Sequence, residues 1–327
     1  MSEVLAPRIT LPRRRGAVVV RQGGLDDDLD ALHVGDPLWW GQSFVAERIA
    51  SSPPEDPWLI LVAELDSEPV GYAFLLSKGV NAGGRAMADL YVLPTARGRG
   101  AGRALLEALT AETAAHGLPG FLLSLPDDDL ISLGTARHWG LQVTGHHKES
   151  LLDLNGLDDD EVARLVARAA SAGIALEPMI GSADEAAWQE VYQMVVRHWA
   201  DAPDAEGSVD SMPFSVWRGF FPDPSYVLVA RRDGEPVGAT MVMDRAKDAA
   251  LNTMFTGVER EVRGVGLATA LKARHAQLMR DAGHRRLYTQ NMDQNAPILA
   301  ANDRLRFRVE SGYLDVAYDL PEDPPRG

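Results

Sequence analysis

The chain contains no cysteine. No disulfide framework, thiolate zinc site or cysteine nucleophile is therefore open to it, and a reducing cytoplasm is the expected setting. Long apolar runs are missing too. The first fifteen residues, MSEVLAPRITLPRRR, carry arginines after a few apolar residues but no continuous apolar core, and no later stretch reaches the roughly 18 uncharged apolar residues of a membrane span. Neither secretion nor membrane insertion is expected. Basic charge is also short: 32 lysines and arginines against 47 acids leave a net charge of -15. The positive footprint that would neutralise nucleic-acid phosphates is absent, and the acidic balance would draw a cationic small molecule or peptide instead. Among eight histidines only His146 and His147 are adjacent, and neighbours on a strand face opposite ways, so no metal site is expected.

What the chain does have is a repeat. Its 327 residues, 46% hydrophobic and 24% charged, make an ordinary globular protein about twice the size of a typical domain. WLILVAELDSEPVGYAFLL, from Trp58 to Leu76, matches YVLVARRDGEPVGATMVM, from Tyr226 to Met243, with Gly71 and Gly238 in register 167 positions apart. Each copy continues into a turn rich in glycine and arginine, TARGRGAGRALL from Thr95 and EVRGVGLATALK from Glu261. Both halves predict the same order. An opening strand (AVVVRQ, IALEPM) leads to a helical stretch over Asp26 to Ala50 or Asp184 to Ala200, then a β-hairpin turning at DSEP or DGEP. A strand, the glycine turn, a helix, a strand (FLLSL, LYTQN), a second helix and a closing strand (KESLLDL, YLDVAYDL) complete each copy. The expected division is a first domain over 1–154, a linker helix over 155–172 with acids in its first turn, and a second domain over 173–327.

A strand running into Arg-Gly-x-Gly-x-Gly or Ala and then a helix is built to hold an anion. The glycines let backbone N–H groups point inward without Cβ obstruction, and the positive end of the helix dipole faces the same point. Spacing separates the known versions of such a site. A phosphate loop of the Walker type needs lysine and then serine or threonine after the glycines, where this chain has Arg103 and Ala104, or Thr269 and Ala270. The dinucleotide fingerprint needs GxGxxG, which Gly98, Gly100 and Gly102 do not supply.

Both halves instead resemble the R/QxxGxG/A motif of the GNAT N-acetyltransferases, through Arg97, Gly100 and Gly102 and through Arg263, Gly266 and Ala268. The resemblance covers the order of elements over nearly the whole chain. It implies an α/β fold made of two tandem GNAT units, each a mixed, mostly antiparallel, splayed sheet with flanking helices. It also implies acetyl-CoA as cosubstrate, with its diphosphate cradled by Arg97, Gly98, Arg99, Gly100, Ala101 and Gly102 in the first half. In the second half the cradle would be Val258, Arg263, Gly264, Val265, Gly266, Leu267 and Ala268. The strand before the turn, here Met254, Phe255 and Thr256, would turn its backbone toward the acetyl group.

In the family a tyrosine often protonates the leaving thiolate, four residues before the glycine of a GF ending. Here LRF, Leu305 to Phe307, stands at that ending and the tyrosine position holds Asn302, which cannot act as an acid but can donate an amide hydrogen. TQNMDQNAPILAANDRLRF resembles a family subset rich in asparagine, so Asn291, Asn295 and Asn302 are expected along one helical side beside the cofactor arm. The first half has Leu125, Asp129 and Ala136 at those places. The second half is therefore expected to be catalytic and the first to be degenerate at the acyl end. Candidate acids and bases in the second half are Asp244, Glu259 and Tyr313, with His198 beside Trp199 on the early helix and Tyr318 on the closing strand. The insertion from Ala200 to Pro224, rich in acid, proline and aromatic residues, would either close over a cationic amine or form a domain-domain contact. The function implied is transfer of an acetyl group to a primary amine of a small molecule or peptide, in a monomer or homodimer; the missing tyrosine leaves a non-catalytic acyl-CoA sensor as the alternative.

Overall fold

The structure is a computed structural model and describes residues 9–10, 18–33, 41–51, 57–76, 84–179, 184–200, 214–245 and 250–321. The chain forms two compact units. The first comprises residues 1–145 and 314–327, and the second comprises 146–313.

In the first unit, β1 (Ile9–Thr10), β2 (Val18–Gln22), α1 (Leu29–Leu32) and α2 (Gln42–Ser51) precede the hairpin of β3 (Trp58–Leu65) and β4 (Glu68–Leu76). Next come β5 (Ala86–Val92), α3 (Ala101–Ala115), β6 (Gly120–Pro126) and α4 (Leu130–His138). The chain then enters β7 (Gln142–Asp153), α5 (Asp159–Ser171), β8 (Ile174–Pro178), α6 (Glu185–Ala200) and α7 (Phe214–Gly219). It ends through β9 (Val227–Arg232), β10 (Glu235–Asp244), β11 (Leu251–Val258), α8 (Leu267–Asp281), β12 (Arg286–Met292), α9 (Ala296–Arg304) and β13 (Arg308–Asp319).

Local sequence accounts for the hairpins. Asp66 and Ser67 have φ of 55° and 69°, and Asp233 and Gly234 have φ of 53° and 87°, so both turns hold two successive left-handed residues as a right-twisted two-residue hairpin requires. Close strand approach explains the matched glycines: a Cβ on Gly71 would meet the Tyr91 carbonyl at 2.5 Å, and one on Gly238 the Gly257 carbonyl at 3.0 Å.

Each unit is a mixed α/β layer structure, as the sequence predicts. Pairing is antiparallel through β2, β3, β4 and β5 and again through β8, β9, β10 and β11, while β5 with β6 and β11 with β12 are parallel. In the first unit one face of the sheet is buried under α3, through Leu105 and Leu109 with Leu61, Leu75 and Phe121, and the other under Leu29 and Val45 with Ile60, Tyr72 and Phe74. In the second unit α8 and α5 cover one face, and α6 and α7 the other, where Trp188 and Trp217 are fully buried.

The units cut the chain differently from the expected 1–154, 155–172 and 173–327. KESLLDL, in β7, pairs with β12 of the second unit from Arg286↔Asp153 to Met292↔His147. Residues 314–319 of β13 lie beside β6 in the first unit, where Tyr318 stacks on Phe121 at 5.2 Å and Arg85 binds Asp319 at 2.6 Å. The closing strands are thus exchanged between the halves of the sequence. Nor is the helix after β7 a free linker: Val162, Leu165 and Ala169 of α5 share the buried cluster of α8, and Asp159 accepts from Arg280 at 2.9 Å. Among the described residues, no helix is long and apolar enough to cross a membrane.

Candidate functional site

The parallel strands in each unit part soon after they meet. β11 pairs with β12 only from Leu251↔Leu287 to Thr253↔Thr289, although both strands run on, to Val258 and Met292. Burial marks the opening: Met254 to Val258, and Gln290 to Met292, are half-exposed where the preceding strand residues Thr253 and Thr289 are buried. In the first unit β5 and β6 pair only at Ala86↔Phe121 and Met87↔Leu122.

A difference in register then separates the units. β10 and β11 run in step from Gly238↔Val258 to Met241↔Phe255, then resume at Val242↔Thr253, so Met254 is an extra residue. A β-bulge of this kind sets one residue's backbone outside the ladder and bends the strand, and such bulges are concentrated beside active sites. The matching pair in the first unit, β4 with β5, keeps one register from Gly71↔Val92 to Leu76↔Met87.

Beyond each gap lies the glycine turn. Gly264 and Gly266 have φ of 82° and 81°, Gly98 and Gly100 of 74° and 99°, and a Cβ at any of the four would point into open space. These glycines are required by backbone conformation, and among the described residues nothing fills the space next to them. Gly266 and Gly100 sit at the N-caps of two 15-residue helices, α8 and α3, without a side-chain cap, so the first-turn N–H groups face outward together with the helix dipole. Val265, Leu267 and Ala268 complete the second turn, and Ala101 the first. Gly102 has a different role, since its Cβ would meet Trp139 at 3.0 Å. The motif arginines brace the strand that feeds the turn: Arg263 Nε donates to the Val258 carbonyl at 3.2 Å and Arg97 Nε to that of Val92 at 3.1 Å. Arg99 pairs with Asp66 at 3.5 Å.

The asparagines do not share a helix face. Asn291 is on β12, Asn295 is the N-cap of α9 and Asn302 is inside α9. Two of them nonetheless meet, because α9 folds back over the strand end: Asn302 Nδ2 donates to Asn291 Oδ1 at 2.8 Å. Asn302 is 3% exposed, and its Oδ1 has no hydrogen-bond partner among the described residues. Asn295 makes no side-chain capping bond, whereas Asp129 at the matching place in the first unit accepts from Ile131 N and Ser132 N and caps α4. Behind this pair is a group that sequence reasoning missed. Lys272 of α8 is 2% exposed, and burial pushes its ammonium down to about 7.

The candidate acids and bases separate into two ends of the unit. Asp244 is paired with Leu251 at the closed end of the gap, about 20 Å along the strand from the level of Val258, and accepts from Tyr226 Oη at 3.0 Å. Tyr313 stacks on His147 at 4.4 Å with rings 5° from parallel, and Tyr318 belongs to the first unit. Glu259 and His198 meet at the open end. Glu259 follows β11, accepts from Arg197 Nη2 at 2.8 Å and stands 3.3 Å from His198 Nε2, an ion-pair distance without hydrogen-bond alignment. Burial lowers the His198 pKa from its ordinary value and Glu259 partly opposes this; Arg197 and His198 hold the Glu259 carboxyl low against burial. The imidazole fits because Gly257 lacks a side chain, for a Cβ there would run into His198 Nδ1. In the first unit Tyr91 occupies the corresponding strand end and His33 lies on it at 4.1 Å, with Tyr72 bridging His33 to Asp89. The segment 201–213 of the expected acceptor loop lies outside the described residues.

Comparison with known proteins bears on the family and the fold. The model of the acetyltransferase (GNAT) family matches twice, over residues 28–140 and 188–301. A mycothiol acetyltransferase of Clavibacter sepedonicus is 28% identical over 276 residues, covering 80% of each chain. Among solved structures, a tandem GNAT protein from the clavulanic acid biosynthesis pathway superposes with a TM-score of 0.67 at 20% identity, over 94% of this chain and 100% of that one. The glucosamine N-acetyltransferase region of a fungal multi-domain GH3 β-N-acetylglucosaminidase gives a TM-score of 0.70 at 17% identity. That match spans 93% of this chain and 38% of the longer fungal one.

Proposed function

The chain belongs to the GNAT acetyltransferase family, and from that premise we propose that its second unit transfers an acetyl group from acetyl-CoA to the primary amine of a small, cationic acceptor. The observation that carries the choice of unit is the bulge at Met254, beside the gap between β11 and β12, which β5 of the first unit lacks.

The residues present fit the cosubstrate. Gly264 and Gly266 leave an open cradle at an uncapped helix start, suited to a diphosphate, and the orphaned Oδ1 of Asn302 awaits a polar partner. When bound, acetyl-CoA supplies a thioester carbonyl open to attack by an amine. Val258, Arg263, Val265, Leu267 and Ala268 would hold the phosphate end, and Asn291, Asn295 and Asn302 the arm. His198 would take the proton of the acceptor ammonium: burial keeps its ring neutral, and Glu259, itself held by Arg197, stabilises the imidazolium that forms. The bulge at Met254 turns backbone toward the gap, where it would orient the acyl group. Direct attack in a ternary complex needs no further nucleophile, and the chain has no cysteine to provide a thiol one.

Calorimetric titration of acetyl-CoA into the native chain, Gly266→Val and Gly100→Val locates the working site, and thiol release measured across a panel of primary amines tests turnover. Turnover is expected to vanish in Gly266→Val and persist in Gly100→Val; the reverse would move the chemistry to the first unit. Tight binding with no thiol release from any amine would make the chain a sensor.

A further inference from the structure

Four of the chain's 32 basic residues are lysines, and Lys272 is enclosed by protein on the inner side of α8. A buried amine at that position costs stability whatever its role, since an apolar residue would pack there without desolvation. Its Nζ lies 5.0 Å from the centre of the Phe307 ring and donates to Thr289 Oγ1 at 3.3 Å. The bonding continues outward. Thr289 Oγ1 donates to Asn291 Oδ1 at 3.3 Å, and the same oxygen accepts from Asn302 Nδ2 at 2.8 Å.

The direction of this chain follows from its inner end. While Lys272 holds its proton, as it does below its folded pKa of about 7, its ammonium has hydrogens and no lone pair and can only donate; Thr289 then accepts from it and sends its own hydrogen onward. Asn291 must therefore present its carbonyl oxygen to Thr289. That oxygen can receive only a donor from the other side, so Asn302 must turn its NH₂ inward. An amide with its NH₂ turned in has its carbonyl left over, and Asn302 Oδ1 is the buried atom that finds no partner among the described residues. Reversing the Asn302 amide would set two oxygens against each other 2.8 Å apart.

We propose that Lys272 is a positioning residue that, acting through Thr289 and Asn291, fixes the Asn302 amide so that its carbonyl oxygen is what the second unit offers its ligand. This rests on reading that unit as the acetyl-CoA site. Asn302 is then a hydrogen-bond acceptor, not the donor to sulfur that its place in the sequence suggests, and the group it recognises is an N–H or S–H. The arm of CoA carries both kinds, as amides along its length and as the thiol that remains once the acetyl group has left. The structure thus assigns specificity for a donor-bearing arm to a lysine that touches no ligand.

The test uses the full chain at about pH 6, where Lys272 holds its proton, with acetyl-CoA and CoA as probes, read by calorimetry and by steady-state thiol release. Lys272→Met keeps the volume and removes the donor; Thr289→Val breaks the chain at its second link, and Thr289→Ser retains the hydroxyl. Loss of one oriented hydrogen bond is expected to raise KM for acetyl-CoA about three- to tenfold in Lys272→Met and in Thr289→Val, with kcat changed far less. Thr289→Ser should recover most of that loss. Because Lys272 acts through Asn302, the double variant Lys272→Met/Asn302→Ala should be no worse than Asn302→Ala alone. Unchanged affinity in Lys272→Met, or losses that add in the double variant, overturns the proposal. If Lys272→Met fails to fold, the contrast between Thr289→Val and Thr289→Ser decides by itself: equal affinities refute the chain. A native chain that binds acetyl-CoA only through the first unit would instead refute the function on which the inference rests.

Discussion

His198 Nε2 stands 3.3 Å from Glu259 Oε2, and the opposite edge of the same ring lies against Gly257. One imidazole is thus set between a carboxylate that stabilises its charge and a strand that has given up a side chain to admit it.

The pH dependence of turnover should report this ring. Burial holds the His198 pKa below its usual 6.5, so kcat/KM should stay level down to that pH and fall only below it. Glu259 raises the pKa against burial, so Glu259→Gln should move the acid limb to still lower pH while reducing the plateau rate. An acid limb that stays in place in Glu259→Gln would remove the pair from the mechanism. The same depression acts on folding: between the folded pKa and 6.5 the unfolded chain binds more protons, so stability from this group is present above 6.5 and is lost as pH falls toward the folded value.

Gly257→Ala puts a methyl group into the imidazole. Overpacking of this kind costs about 1–3 kcal/mol, and the ring must move out of line with Glu259. Lower thermal stability together with a loss of turnover is expected, with acetyl-CoA affinity retained because the glycine turn is untouched. Denaturation curves and steady-state kinetics check it, and wild-type kinetics in a destabilised Gly257→Ala would show that the ring position is irrelevant to catalysis.

Lys272 predicts a rise in stability at alkaline pH. Its folded pKa of about 7 lies far below that of a free lysine, so between those values the unfolded chain binds the extra proton and stability increases with pH. The gain is on the order of a few kcal/mol between pH 7 and 10, seen as the difference between native protein and Lys272→Met in urea titrations. Parallel pH profiles for the two proteins would mean that the amine is not deprotonated by folding.

The repeat offers an internal control for the hairpins. Ser67 has φ of 69° where the second copy has Gly234 at 87°. Ser67→Gly should stabilise the first unit by about 0.5–1 kcal/mol and Gly234→Ser should destabilise the second by a similar amount, measured as shifts in the denaturation midpoint.

Features that obey local rules were legible in the sequence. The repeat announced itself through Gly71 and Gly238, the hairpins through DSEP and DGEP, and the anion cradles through Gly98, Gly100, Gly264 and Gly266, because each of these is a demand of backbone conformation or close approach within a few residues. The pairing of Glu259 with His198, and the burial of Lys272, left no such trace. Asp244 looked equivalent to Glu259 as a strand-end carboxylate, and only the strand register places it at the closed end of the gap.

The sequence alone therefore determined that the protein is two α/β units of one kind, each with a glycine turn at the head of a helix. The tertiary structure decided the rest. It exchanged the closing strands, since a β-strand's own residues set its faces but not its neighbour. It brought Asn302 onto Asn291 through the fold-back of α9, not through a shared helix face. It also set the bulge at Met254 in one unit only, because register belongs to a pair of strands and cannot be read from either by itself.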